Sequence, residues 1–248
     1  MTLKQLLKLY YVAYRYKLRI NKAEIEYLLT QLNRGDTAID IGAHKGGYLY
    51  WMRKKVGMEG KVFAFEPQES LYRQLLQITG YFKWKNVQVE KLGVSNARET
   101  HRFYIPVTPD GSSAEASMTD YRVGMGDYKE TTIDTISLDE YCTKGSIKPS
   151  FIKIDVEGFE YEVLTGARQV LQTYHPKILM ECEQRHLKDK KVADVFEVVL
   201  ALGYKGFFIY DNQVKPLAEF KLSSHQDSSV KGFETSSLYA NNFIFEWR

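Results

Sequence analysis

Thr37-Ala38-Ile39-Asp40-Ile41-Gly42-Ala43-His44-Lys45-Gly46-Gly47 decides the fold class. A short apolar strand ends in an acid, a glycine-rich turn follows, and a helical run continues to about Val56. Strand, turn and helix in that order open an α/β fold, whose ligands bind at the carboxyl ends of the strands. The glycines let something approach the backbone closely. Their spacing is not the G-x-G-x-x-G of a pyrophosphate site, and an acid at the strand tip repels a phosphate. Asp40 suits a cationic ligand instead. S-adenosylmethionine is one, carrying an ammonium and a sulfonium but no phosphate.

The chain that follows returns to the unit. Lys61–Phe65 reads as a strand ending in Glu66-Pro67, with Glu66 twenty residues beyond Gly46. A carboxylate there can accept hydrogen bonds from both hydroxyls of a ribose, and Pro67 turns the chain out of the sheet. Asn86–Glu90 is a third strand. Phe151–Asp155 is a fourth, leading through Glu157-Gly158 into a helix from about Phe159 to Leu171. Lys177–Cys182, Lys205–Tyr210 and Asn242–Trp247 complete the strands, with a helix over Lys191–Leu202. Strands alternating with helices predict a mostly parallel sheet covered on both faces. Asp40, Glu66 and Asp155 should then converge on one edge. Glu157 and Glu160 also suit the dipole of the helix they open.

Composition limits the alternatives. Apolar residues make up 44% and charged residues 26% of 248 residues, an ordinary globular balance. No run approaches the ~20 apolar residues of a membrane span. Met1–Arg19 carries too many cations for a secretory leader. Two cysteines, Cys142 and Cys182, give no disulfide framework and point to a cytoplasmic setting. The net charge of +3 is unevenly spread: residues 1–22 hold six Lys or Arg and no acid, leaving −3 for residues 23–248.

Residues 1–34 read as a helical extension to a domain over 35–248. Leu3, Leu6, Leu7, Tyr10, Tyr14 and Leu18 share one helical face, and Lys4, Lys8, Arg15, Arg19 and Lys22 share another. Two readings stand. The extension caps the sheet or forms a homodimer contact through Leu3, Leu7, Tyr10 and Tyr14. Alternatively, residues 1–22 rest peripherally on anionic lipid at the inner face of the membrane. Two long polar stretches, Pro106–Glu130 and Lys221–Ser237, read as loops, the first as a lid.

Four stretches resemble the FkbM family of S-adenosylmethionine-dependent methyltransferases: Asp40–Gly46, Val62–Pro67, Gly93–Asn96 and Ile152–Gly158, with lesser echoes at Ser137–Tyr141 and Pro176–Glu181. The likeness runs from about Gly35 to Gly203. It implies a Rossmann-like, seven-stranded sheet whose last strand is antiparallel. It also implies methyl transfer to a hydroxyl of a sugar, glycan or natural product. Carried over, Asp40, Gly42 and Gly46 line the methionine end of the cofactor. Glu66 holds the ribose, Gly93, Val94 and Ser95 lie near the adenine, and Asp155 sits beside the sulfonium and the acceptor. Tyr48 and Pro67 complete the cofactor set. His44 joins it too, although the family often has Asn there, which favours a helix-start role. A Gly-Ser-Ser element that recurs in the family corresponds to Gly111-Ser112-Ser113.

A sugar hydroxyl is a weak nucleophile, so a general base is expected. Asp155 stands first, with Glu157, Glu181 and His186 as further candidates, His186 otherwise reading as a surface residue. Asp155 with Glu181 or Glu183 would alternatively hold Mg²⁺. The competing functions are N- or C-methylation of a small molecule and a non-catalytic module that binds S-adenosylmethionine. The net-negative body argues against a nucleic-acid acceptor.

Overall fold

The computed structural model describes residues 3–107, 113, 116–118, 127–227, 229, 232, 236 and 238–247. In chain order, α1 (Leu3–Arg15), a π-helical turn (Tyr16–Ile20) and α2 (Lys22–Gln31) precede β1 (Thr37–Ile41), α3 (Gly47–Val56), β2 (Lys61–Phe65) and α4 (Glu69–Tyr81). Then come β3 (Val87–Glu90), β4 (Gly93–Ser95), β5 (Thr100–Pro106), β6 (Tyr128–Ser137), α5 (Leu138–Gly145) and β7 (Phe151–Ile154). After them run α6 (Glu160–Thr165), α7 (Arg168–Tyr174), β8 (Lys177–Glu181), α8 (Val192–Leu200), β9 (Tyr204–Tyr210), β10 (Gln213–Pro216), α9 (Leu222–His225) and β11 (Asn242–Trp247).

The main sheet has the order β10-β9-β11-β8-β7-β1-β2-β3. Neighbours from β8 to β3 pair in parallel, and β11 runs antiparallel between β8 and β9. The antiparallel last strand agrees with expectation, but the sheet has eight strands rather than seven. The eighth, β10, folds back on β9 through Asp211 and Asn212, whose φ angles are 49° and 57°. Two successive left-handed residues make the tight turn whose twist matches a hairpin, and Asp and Asn tolerate that region best after glycine.

Alternation along the strands supplies a core on each face. Ile39, Ile41, Phe63 and Phe65 pack with Val163, Leu171, Val195 and Phe196 from α6, α7 and α8. Ala38, Val62 and Ala64 pack on the other face with Ile25, Leu28, Trp51 and Leu75 from α2, α3 and α4. α1 joins that second core through Leu9 and Ala13, and Trp51 Nε1 donates to the Ala13 carbonyl at 2.8 Å. Leu9 and Ala13, outside the apolar stripe singled out in the sequence, thus make the core contact, and Leu7, Tyr14 and Leu18 of that stripe are exposed.

A smaller sheet, β4-β6-β5, stands beside the main one. β5 and β6 form an antiparallel hairpin and carry mostly polar, half-exposed residues. β6 is mostly polar and β5 has only the short apolar run Phe103-Tyr104-Ile105, so the sequence reading missed both. The stretch expected as a loop to Glu130 thus re-enters a strand at Tyr128. Gly111 and Ser112, with most of the proposed lid, lie outside the described residues. In the second stretch, Leu222–His225 forms a single helical turn, and Ser228 lies outside the described residues.

Candidate active site

The carboxyl ends of β1, β2, β7 and β8 open onto a cleft of about 220 Å³. Gly42, Ala43 and His44 line it from the β1 turn, Gly47 and Tyr48 from the start of α3, and Glu66, Pro67 and Gln68 from the β2 tip. Gly93 and Val94 follow from β4, Lys153, Asp155 and Glu157 from the β7 end, and Glu181 from β8. Tyr16, Ile20 and Asn21 close one side; Ser113, Ala116 and Met118 close another. Of the residues singled out from sequence, Asp40, Gly46 and Ser95 stand behind this wall rather than on it.

β1 and β7 are adjacent, and their register sets Asp40 opposite Lys153. Lys153 is almost fully buried. Its Nζ lies 3.0 Å from Asp155 Oδ2, 3.1 Å from the Gly42 carbonyl and 3.8 Å from Asp40 Oδ1, and 4.9 Å from the centre of the Tyr48 ring. Burial works against its charge, but Asp155 and Asp40 outweigh burial and hold the ammonium above its ordinary range. Asp40 is fully buried, and neither of its oxygens accepts a hydrogen bond of normal geometry among the described residues. Burial raises its pKa to about 6, with Lys153 opposing the rise and Asp155 adding to it. A lone lysine inside an otherwise apolar buried strand was the available signal for this cluster, and it was overlooked.

The β1 turn is tight for a reason other than ligand approach. Gly42 has a φ of 80°, and a Cβ there would lie 1.9 Å from the Asp155 carbonyl oxygen. The glycine lets the tips of β1 and β7 meet. At Gly47 a Cβ would fall 2.7 Å from Tyr16 Cδ2, so this glycine seats the π-helical turn on the cleft.

Glu66 is buried and held by the backbone. Its Oε2 accepts from the His44 amide and its Oε1 from the Gln68 amide, both at 2.8 Å. Burial raises its pKa to about 7 despite those two bonds. His44 acts here through its main chain, in a left-handed conformation of φ 47°. Gln68, unremarked in the sequence, exchanges two hydrogen bonds with the Ser113 backbone and ties β2 to the loop opposite.

Asp155 leads into two left-handed residues, Glu157 (φ 52°) and Gly158 (φ 97°). A Cβ at Gly158 would meet the His186 carbonyl oxygen at 2.3 Å. His186 is not the surface residue expected: it is buried, with Nδ1 2.8 Å from Glu157 Oε2. Burial raises the Glu157 pKa while His186 opposes the rise. The ion pair outweighs burial at His186 and lifts its pKa. Positive φ at a non-glycine residue costs about 1 kcal/mol or more and is concentrated at functional sites. Glu181 accepts from Asn241 Nδ2 at 2.8 Å. Burial, then the charges of Asp155 and Glu157, push its pKa well above the ordinary carboxylate range.

These residues fit a cofactor with a cationic end. Glu66, Asp155, Glu157 and Glu181 face the cleft with Lys153, and the buried Asp40 carboxylate, 3.8 Å from Lys153 Nζ, lies behind them. Glu66 keeps unused lone pairs on both oxygens for a pair of hydroxyls. Mg²⁺ fits poorly. Lys153 engages Asp155, Arg185 and Tyr239 engage Glu183, and no group of three His, Cys, Asp or Glu among the described residues is placed to hold a metal ion. Cys142 and Cys182 are both buried free thiols.

Residues 40–207 match the methyltransferase FkbM domain. The hexuronic acid methyltransferase AglP of Haloferax volcanii is 30% identical over 161 residues, 63% of this chain. The match spans 60% of that protein's length, less than two thirds. Among solved structures, an FkbM methyltransferase from Methylobacillus flagellatus superposes with a TM-score of 0.55 at 14% identity, over 99% of this chain and 56% of that one. An rRNA methylase from Streptococcus thermophilus gives a TM-score of 0.51 at 12% identity, over 92% and 96%. At those identities the two structures speak for the fold alone.

Proposed function

The chain belongs to the FkbM methyltransferase family, and from that premise we propose that it transfers a methyl group from S-adenosylmethionine to a hydroxyl of a sugar or glycan. The observation that carries the reading is the acidic cleft, in which Glu66 is fixed by two backbone amides, Asp155 pairs with Lys153, and Glu157 and Glu181 line the same wall. Residues 35–248 form the methyltransferase domain in this reading, and residues 1–34 contribute one wall of its site. Bound there, S-adenosylmethionine supplies an electrophilic methyl on a cationic sulfur.

The chain's own residues do the rest. Glu66 accepts the ribose hydroxyls. Gly93 and Val94 flank the adenine, and Tyr48 with the β1 turn encloses the methionine end. Lys153 keeps Asp155 in place beside the acceptor. Glu181 takes the hydroxyl proton, because a carboxylate with a raised pKa is a stronger base than one paired to an ammonium. Tyr16 and Ile20 wall one side of the cleft and help seat the acceptor.

The acceptor class follows AglP, which acts on a hexuronic acid. Such a sugar offers hydroxyls and a carboxylate, two kinds of oxygen nucleophile. The test incubates the full chain with S-adenosylmethionine and a panel of neutral sugars, sugar acids and their glycans, measuring S-adenosylhomocysteine and the product mass. The expected product is an alkali-stable methyl ether one methylene heavier than the acceptor. An alkali-labile ester would move the chemistry to the carboxylate and remove the need for a base. Cofactor binding without transfer to any acceptor would favour a binding module.

A further inference from the structure

The exposed side of the N-terminal segment has no part in the chemistry above. Leu9 and Ala13 turn inward, whereas Leu7 is 60%, Tyr11 64%, Tyr14 41% and Leu18 65% exposed. At ~100° per residue these four fall on one narrow stripe. Ile20, half exposed, points away from this stripe and lines the cleft instead. Arg15, Arg19 and Lys22 are exposed along the border of the stripe, and residues 1–22 contain six cations and no acid. No helix among the described residues is long and apolar enough to cross a membrane.

An apolar stripe bordered by cations is the pattern of a helix lying in the plane of a membrane interface. The apolar side chains enter the acyl boundary, and the cations meet anionic headgroups. A second copy of this chain is the poorer occupant. A two-fold contact through the same stripe would set two segments of six cations side by side. We propose that residues 1–22 dock the protein on an anionic lipid surface through this stripe and its cations. The proposal requires only the stripe and its charge, and stands whether or not the methyl-transfer reading holds.

The test sediments the full chain with vesicles of phosphatidylcholine alone, or of phosphatidylcholine and phosphatidylglycerol in equal parts. The chain should sediment with the anionic vesicles only and be released by added salt. Leu7→Ser with Leu18→Ser should lower partitioning about tenfold. Arg15→Glu with Arg19→Glu should lower it at least about tenfold. All four side chains are exposed, and circular dichroism checks that each variant is folded. A chain that stays in solution with both vesicles would overturn the proposal, as would folded variants that bind like the parent. So would a dimer in light scattering that Leu7→Ser with Leu18→Ser dissociates while vesicles capture nothing.

Discussion

The carboxyl edge of the sheet and the N-terminal segment are built on opposite terms. At the edge, acids are buried and crowded: Asp40, Glu66 and Glu181 all have raised pKa values because burial penalises their charge. In residues 1–22 the charge is all positive and the apolar side chains Leu7, Tyr11 and Leu18 face outward. A net charge of +3 conceals both. The edge holds unfavourable charge in place through the rigid backbone of the strand tips, which is how a site is prepared for a cation. The segment leaves apolar surface uncovered, which a chain does where something else is to cover it. The two regions meet at Tyr16 and Ile20, on the rim of one cleft.

Changes at the edge should act on chemistry and those in the segment on access. The largest effect is expected of Glu181→Gln, which should lower methyl transfer on the order of 10²–10⁴-fold while the protein folds normally. In the parent, transfer should rise with pH through a value well above 4.5, because the base must lose its proton; the variant should lose that rise. Steady-state rates across pH check both. Gly42→Ala comes next. A methyl 1.9 Å from the Asp155 carbonyl must push β1 and β7 apart, with a loss of about 3 kcal/mol or more in urea unfolding.

Glu24, just beyond the segment in α2, sharpens the contrast. It is buried in α2, and desolvation raises its pKa to about 7. A carboxyl whose folded pKa exceeds its unfolded value favours folding at low pH and opposes it as pH rises. Its effect should therefore spread between about pH 4.5 and 7. Glu24→Gln should stabilise the protein at pH 8 by roughly 2–3 kcal/mol and leave pH 4 almost unchanged. Thermal melts at the two pH values decide. The smallest effect is expected at Tyr16. Tyr16→Ala uncovers Gly47 and should raise the acceptor KM on the order of tenfold with little change in kcat, whereas Tyr16→Phe keeps the ring and should behave like the parent.

Legibility followed the same division. The β1, β2 and β7 tips could be read from sequence because each pairs an apolar run with one acid and a turn signal. Asp155, Glu157 and Glu66 were found that way and all line the cleft. Lys153 was missed because a strand reading counts apolar residues and passes over the exception. Its meaning lies in a register, Asp40 opposite Lys153, that only pairing reveals. His186 was read as surface from its charged neighbours Arg185 and Lys188, yet the left-handed turn at Glu157 brings a carboxylate onto it. In α1 the sequence shows an apolar stripe but not what covers it, and Leu9 and Ala13, off that stripe, are the residues that meet the core. The helix has two apolar faces, and sequence cannot say which of them meets the core.

Titration calorimetry of S-adenosylmethionine into the full chain, beside Glu66→Gln, tests the central claim most directly. The account predicts one site per chain, weakened about ten- to a hundredfold in the variant, since each hydroxyl loses a charged acceptor. Equal affinity for parent and folded variant, or no heat with the parent, would contradict it.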